Sequence, residues 1–373
     1  MRTQIVSILK RAPAARLRVA AARIGICALL LAPTLFSQAP RVGIIDFYGI
    51  RKVSESRLRK ALGFSEGQPL PGSKGDMEDR LDAVPGIVGA SVEATCCEQG
   101  KVVLYVGVLE RGAPHFDLRT PPEEDLNLPP EINDAYQQFL SQVDNAVHVG
   151  QTEEDLTNGH SLMAYPEARS VQEKFIRLAA SDVKILRNVL RNSADPEQRA
   201  IAAYVIGYYP QKSQIVNDLQ YALTDPDQTV RSNAIRAMAA LAVKSRLDKH
   251  AGFKVEPTWF IEMLNSLFWT DRNNAAVALV TLTEDRDPGT LEQLRRRALP
   301  SLIEMARWKK LEHALPAYIL LGRAMGIPEK ELQDTWSAGH RDTIIAKAMK
   351  WKLKPNEDQM GPIKRVGDKE VLK

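Results

Sequence analysis

The chain has 373 residues, about two domains' worth, and its 44% hydrophobic and 26% charged content allows sizeable cores. The formal charge of +4 arises in the first 39 residues, which hold six of the 50 basic side chains and no acid; the other 44 face 46 acids, a balance of −2. That excludes nucleic-acid steering by net charge, and the absence of further long apolar runs excludes a polytopic membrane protein.

Residues 1–39 are ordered as a secretory signal. Arg2, Lys10, Arg11, Arg16, Arg18 and Arg23 precede an apolar run from Ile24 to Phe36, and the small residues Ser37 and Ala39 follow. The run is shorter than the roughly 20 residues of a stable span. Cleavage is therefore expected, leaving no stable transmembrane span, with a periplasmic or exported body. An uncleaved leader anchored in the inner membrane is the alternative. Cys96 and Cys97 then remain, adjacent in sequence. Two cysteines exclude a disulfide framework and a cysteine-based zinc cluster. Half-buried thiols near a turn and a vicinal disulfide both fit them.

Residues 41–113 read as strand, helix, helix, strand, strand. Val42, Ile44 and the run to Phe47 mark a strand that stops at Gly49. Ser54 opens a helix with Leu58 and Leu62 on one face, and Gly63 closes it. A second helix spans about 74–83 and stops at Pro85-Gly86. Ile87 to Thr95 is a strand, Glu98-Gln99-Gly100 a hairpin turn, and Val102, Leu104, Val106 and Val108 alternate on the last strand.

This ordered set resembles a POTRA (polypeptide-transport-associated) domain. The matching residues are Ile45 to Gly49, Val53-Ser54, Leu58, Leu62, Gly67 to Leu70, Leu81, Val84 to Ile87, Val92, and Val102 to Glu110. The resemblance implies a three-stranded sheet with two helices. It also implies binding of extended polypeptide by strand addition at a sheet edge, here Gly89, Ala90, Ser91, Val92, Glu93, Ala94 and Thr95. Such domains usually precede an outer-membrane barrel, and no barrel-like series of strands follows here.

Residues 114–165 read as a linker. Pro121-Pro122, Glu123-Glu124-Asp125 and Pro129-Pro130 stiffen and solvate it, and one helix carries Ile132, Tyr136, Leu140, Val143 and Val147 on a face. Glu153-Glu154-Asp155 with His160 reads as a solvated loop or helix start rather than a metal or acid–base site.

Residues 166–350 form helices with short connections and a recurring pattern. Asp195-Pro196 precedes Arg199, Ala202-Ala203 and Ile206; Asp225-Pro226 precedes Val230-Arg231, Ala234, Ala237-Met238 and Leu241. A shorter copy starts at Asp271, and a degraded one runs from Leu311 to Met325. In the two Asp-Pro copies, Asp is read as the helix cap and Pro as the first turn. The string from Asp225 to Ala234 is similar to HEAT repeats, including their bilin-lyase-like variant, which implies an α-solenoid of four to six stacked pairs. Arg231 is expected to pair with turn carboxylates, worth about 0–1 kcal/mol if exposed. The five tryptophans are read as repeat packing. Residues 351–373 form a flexible tail.

Six scattered histidines and the absence of nucleotide, hydrolase or zinc-helix motifs indicate no enzyme, metal or cofactor. The fold expected is thus multi-domain: a small α+β POTRA-like domain, then an all-α HEAT-like array. The function expected is a non-enzymatic protein–protein adaptor of the cell envelope. Its partners would be proteins, including an outer-membrane or secretion component, and not nucleic acid. A lyase or hydrolase with a pocket in the repeat concavity, and a structural envelope spacer, are the alternatives.

Overall fold

The computed structural model describes residues 39–351 except Lys249. The leader expected over 1–39 and the tail expected over 351–373 lie, but for Ala39 and Trp351, outside the described residues. Among these, no helix is long and apolar enough to cross a membrane. The architecture has two parts, a small three-stranded sheet region and a helical-repeat region.

The first part is β1 (Val42–Tyr48), α1 (Glu55–Leu62), α2 (Lys74–Asp82), β2 (Ile87–Glu98) and β3 (Lys101–Glu110). The sheet order is β1-β3-β2, with β1 parallel and β2 antiparallel to β3. The central strand reads Val102-Val103-Leu104-Tyr105-Val106-Gly107-Val108 and is buried throughout. Leu104, Val106 and Val108 pack under α1 and α2 with Ile45, Leu58, Leu62, Leu81 and Val92. Its odd members Val103 and Tyr105 join the core of the helical region. A strand covered on both faces needs a continuous apolar run, and the residues between the alternating ones supply it.

The chain continues through α3 (Pro130–Val149), a short hairpin β4 (Glu154–Asp155) and β5 (Leu162–Met163), and α4 (Pro166–Asn192), which breaks at Asp182. Then come α5 (Pro196–Ile206), α6 (Val216–Ala222), α7 (Gln228–Leu247), α8 (Thr258–Met263), α9 (Trp269–Leu282), α10 (Pro288–Gln293), α11 (Leu299–Ala306), α12 (Leu311–Ala324), α13 (Glu329–Ser337) and α14 (Arg341–Met349). The second helices of successive pairs, α5, α7, α9 and α12, pack side by side.

The repeats align on arginine rather than on Asp-Pro. Arg199 Nη1 donates to Ser193 O at 2.8 Å, and Arg231 Nη1 to Asp225 O at 2.8 Å, each six residues back; Arg272 Nε donates to Ser266 O at 2.6 Å. In each turn the residue six back accepts the N–H two residues ahead of it: Asp195 to Ser193, Asp227 to Asp225, Phe268 to Ser266. The caps are therefore Asp195, which accepts Glu197 N at 2.8 Å, and Asp227, which accepts Thr229 N at 2.9 Å. Asp225 is not a cap. It is fully buried and takes two bonds of 2.9 Å from Arg199 of the preceding repeat. Asp271 likewise lies inside α9 and takes Arg231 Nε at 3.0 Å on both oxygens. The helix of the third copy thus starts two residues before Asp271, at Trp269, with Phe268 in the cap position. Arg231 pairs as expected but is wholly buried, so the surface estimate does not apply to it.

Two further readings change. In α3 the buried stripe is Ile132, Ala135, Tyr136, Phe139 and Ala146, while Leu140 and Val147 are 43% and 59% exposed. Stepping by four residues drifts about 40° per step from the helix period. The stretch 114–129 is docked on the repeats, although its acids Glu123, Glu124 and Asp125 remain exposed. Arg119 N donates to Thr224 O at 2.8 Å, Glu124 lies beside Ser193 as a parallel bridge, and Leu128 N donates to Gln198 Oε1 at 2.8 Å. Extended, proline-stiffened backbone leaves donors and acceptors free for the repeat turns to take.

Removing one partner of a buried ion pair strands the other charge, at a cost of about 3–5 kcal/mol. Arg231→Ala is therefore expected to lower the unfolding free energy by that amount, read as a lower urea midpoint at unchanged slope. Arg231→Met combined with Asp271→Leu should recover most of it. A double variant as unstable as the single one would show that the two residues do not act as a pair.

Candidate functional site at the sheet–repeat seam

The sheet sits on the loop edge of the repeats, and the contacts come largely from positions read in sequence as binding rim, as part of the POTRA match or as repeat packing. The third repeat has Phe268 where the first two have a capping Asp, and Phe268 offers no cap oxygen. Glu93 of β2 supplies it. Glu93 Oε1 accepts Trp269 N at 2.6 Å; Oε2 accepts Thr270 N at 3.2 Å and Gln228 Nε2 at 2.8 Å. At the fourth repeat Asp46 of β1 accepts Lys309 N at 2.8 Å, just before α12. Burial pushes the Asp46 carboxyl up, against the pull of Lys309.

Between these two carboxylates lies an aromatic cluster. Tyr105 stacks on Trp269 at 4.6 Å and lies 5.0 Å from Trp308. Tyr48 Oη donates to Leu267 O at 2.7 Å, and the Arg272 guanidinium covers the Tyr48 ring at 4.5 Å. Gly107 permits this approach: a Cβ there would stand 2.4 Å from Leu267 O. Tyr105 Oη and His313 Nδ1 are 2.6 Å apart. Burial holds the Tyr105 phenol protonated, so its hydroxyl can donate to Nδ1 of the His313 tautomer that carries its hydrogen on Nε2. Burial, with Lys310 adding to it, pushes His313 down to about 4. Trp269 and Trp308 are thus seam residues rather than repeat packing alone. Trp336 does pack within the array, 4.9 Å from Tyr318.

Beside β1 the seam opens into a cleft of about 700 Å³. Its walls are β1 from Ile45 to Tyr48, α11, Trp308, Met349 and Trp351. Glu304 binds Arg51 Nη1 at 2.8 Å, Gly49 N at 3.2 Å and Arg272 Nη1 at 3.3 Å, so it joins sheet and repeats. Among the described residues no group of three or more His, Cys, Asp or Glu could hold a metal ion.

The rim residues expected to bind polypeptide divide by face. Ala90 and Val92 face the core under α1 and α2. Gly89 faces Leu267, and Glu93 is spent on α9. Ser91 is buried and Ala94 exposed, while Thr95 is half-buried. Val92 N donates to Glu78 Oε1 at 2.8 Å. Cys96 and Cys97 are exposed at the hairpin tip, with their sulfurs bonded to each other. Arg236 pairs with Glu154. His160 lies 5.3 Å from the Tyr208 ring and is pushed down to about 4, chiefly by burial.

With this geometry in view, the HEAT-repeat family matches residues 183–249. The match begins just after the break at Asp182 and runs through α5, α6 and α7, the two pairs whose arginines align best. No curated protein matches the chain. The helical region is therefore a HEAT-like repeat array over that span, and HEAT repeats generally mediate protein–protein interaction.

Glu93→Ala should destabilise the protein by about 1–3 kcal/mol, the cost of leaving buried donors unpaired. Tryptophan emission should shift to the red as the seam loosens; an unchanged spectrum and midpoint would exclude Glu93 as the cap. His313 gives a second test. Its folded pKa of about 4 lies below the ordinary 6.5, so between those values the unfolded chain binds a proton that the folded chain does not. Stability should fall as pH drops through that window. His313→Gln should flatten part of the slope, with His160 contributing to what remains; an unaltered slope would contradict the assignment.

Proposed function

We propose that the chain is an exported, non-enzymatic adaptor of the cell envelope. In this reading it holds a second protein on the helical repeats and takes extended polypeptide along the rim of β2, Gly89 to Thr95. The leader's charge and apolar order support export. The HEAT-like match supports a protein partner, and the POTRA resemblance suggests what the sheet binds.

The observation that carries the choice of rim is the contrast between the two outer strands. The side of β1 is already covered. Val42 N donates to Gln68 O at 2.9 Å, Gly67 N to Val42 O at 2.7 Å, and Lys309 Nζ to Ile45 O at 2.7 Å. A covered edge does not recruit strands. On β2 the corresponding cover is one side chain, Glu78, on Val92 N. An incoming strand would replace that carboxylate with a backbone carbonyl.

The test uses the full chain as bait in envelope extract after crosslinking. Proline is tolerated on an outer strand but cannot donate to an added one. Ala94→Pro should reduce capture of the rim partner, and Glu78→Ala should increase it. Equal capture by both variants and the parent chain would overturn strand addition at β2.

A further inference from the structure

Cys96 and Cys97 have no part in the function proposed above, yet they end the same strand. The β2–β3 register pairs Thr95 with Val103 and Glu98 with Lys101. Cys96 and Cys97 therefore stand together opposite Val102, two residues against one. The turn that follows is Gln99-Gly100, with φ of 51° and 75°. Both centres at positive φ make this a two-residue hairpin turn of the kind that matches strand twist.

Neighbouring residues on a regular strand send their side chains to opposite faces. A bond between their sulfurs needs both side chains together, and a regular ladder forbids that. A bulge inserts one unpaired residue and bends the strand, which resolves the conflict. The bulge lies where the bonded sulfurs are. Both cysteines are exposed, so thiols in solvent can reach the bond.

We propose that Cys96–Cys97 is a redox modification site whose substrate is a dithiol reductant, and that its oxidation state sets the register of the hairpin tip. One thiolate of the reductant attacks a cysteine sulfur, breaking the S–S bond and forming a mixed disulfide. The reductant's second thiol displaces that sulfur and leaves as a disulfide. The protein gains two electrons and two protons and carries two thiols. Nothing then holds the sulfurs on one side. Cys96 pairs opposite Val102 and Cys97 opposite Lys101, and the turn lengthens to Glu98-Gln99-Gly100, a three-residue loop with Gly100 at positive φ. The regular part of the β2 rim grows by two residues; its effect on strand addition rests on the function proposed above.

The experiment compares the air-oxidised full chain with the same chain treated with dithiothreitol, by maleimide labelling with peptide mapping and by amide exchange over residues 95–102. Neither readout needs a partner, so failure of the adaptor reading leaves this test intact. Cys96 and Cys97 should be unlabelled before treatment and both labelled after it. Exchange at Cys97 should slow by about fivefold, the effect of one added ladder hydrogen bond, exchange at Glu98 should speed as it passes from the ladder into the turn, and both should reverse on reoxidation. Cys96→Ser with Cys97→Ser should show the slow pattern with or without reductant. Two free thiols in protein never exposed to reductant, or identical exchange in the two redox states, would overturn the proposal. The parent chain alone carries both readouts if the double variant does not fold.

Discussion

A carboxylate on the sheet completes a helix that its own repeat leaves unfinished. In the first two repeats an aspartate two residues past the buried turn residue caps the second helix. In the third that position is Phe268, and Glu93 reaches across from β2 to accept Trp269 N and Thr270 N. The exposed N–H groups of a helix start attract negative charge, so the sheet is held where its acids meet these ends. Asp46 repeats the arrangement before α12. The aromatic seam follows from this placement, because the residue whose N–H Glu93 fixes is Trp269, and its ring stacks on Tyr105. Neither part satisfies its polar groups alone, and the described residues from Ala39 to Trp351 form one compact unit.

The arginines set the spacing that makes such caps reachable. Arg199 and Arg231 each hold the carbonyls of their own turn and the carboxylate of the next repeat. A planar guanidinium that satisfies both sides leaves little freedom for one helix pair to slide on the next. Buried ion pairs add little net stability but are costly to break singly, which suits a register device. Arg272 departs from the pattern: its carboxylate, Glu304, also binds Arg51 and Gly49 N of the sheet region. Where the ladder reaches the seam, the sheet becomes one of its partners.

Much of this was legible in sequence where local chemistry decides the outcome. The alternation on β3, the stops at Gly63 and Pro85-Gly86, and the small-residue stripes of α7 and α12 all mark real elements. The misreadings share a cause, which is that position in sequence does not say what lies opposite. Two Asp-Pro pairs look alike, yet Asp195 caps a helix and Asp225 is a buried counter-ion; Arg199 and Arg231, four and six residues on, give the true alignment. Glu93 looks like a solvent-facing residue on a half-buried strand. The available signal was Tyr105 between Leu104 and Val106, since an aromatic at the supposedly wet positions of a strand means that the second face is covered.

The seam also decides which surfaces remain for others. The turns of the first two repeats are occupied by residues 114–129, and those of the third and fourth by the sheet. Over α5 and α7 lie α3 and the β4–β5 hairpin: Tyr208 Oη donates to Ser161 O at 2.8 Å, and Arg236 pairs with Glu154. The chain has used these faces itself, so a macromolecule held by the repeats must engage helix surfaces away from the turn edge. A rim fixed to those helices through Glu93 and Glu304 has no hinge to turn on. On the adaptor function proposed above, a ligand of the rim would be presented at one fixed angle to a partner of the repeats, so their relative placement would be a property of the fold rather than of a flexible linker.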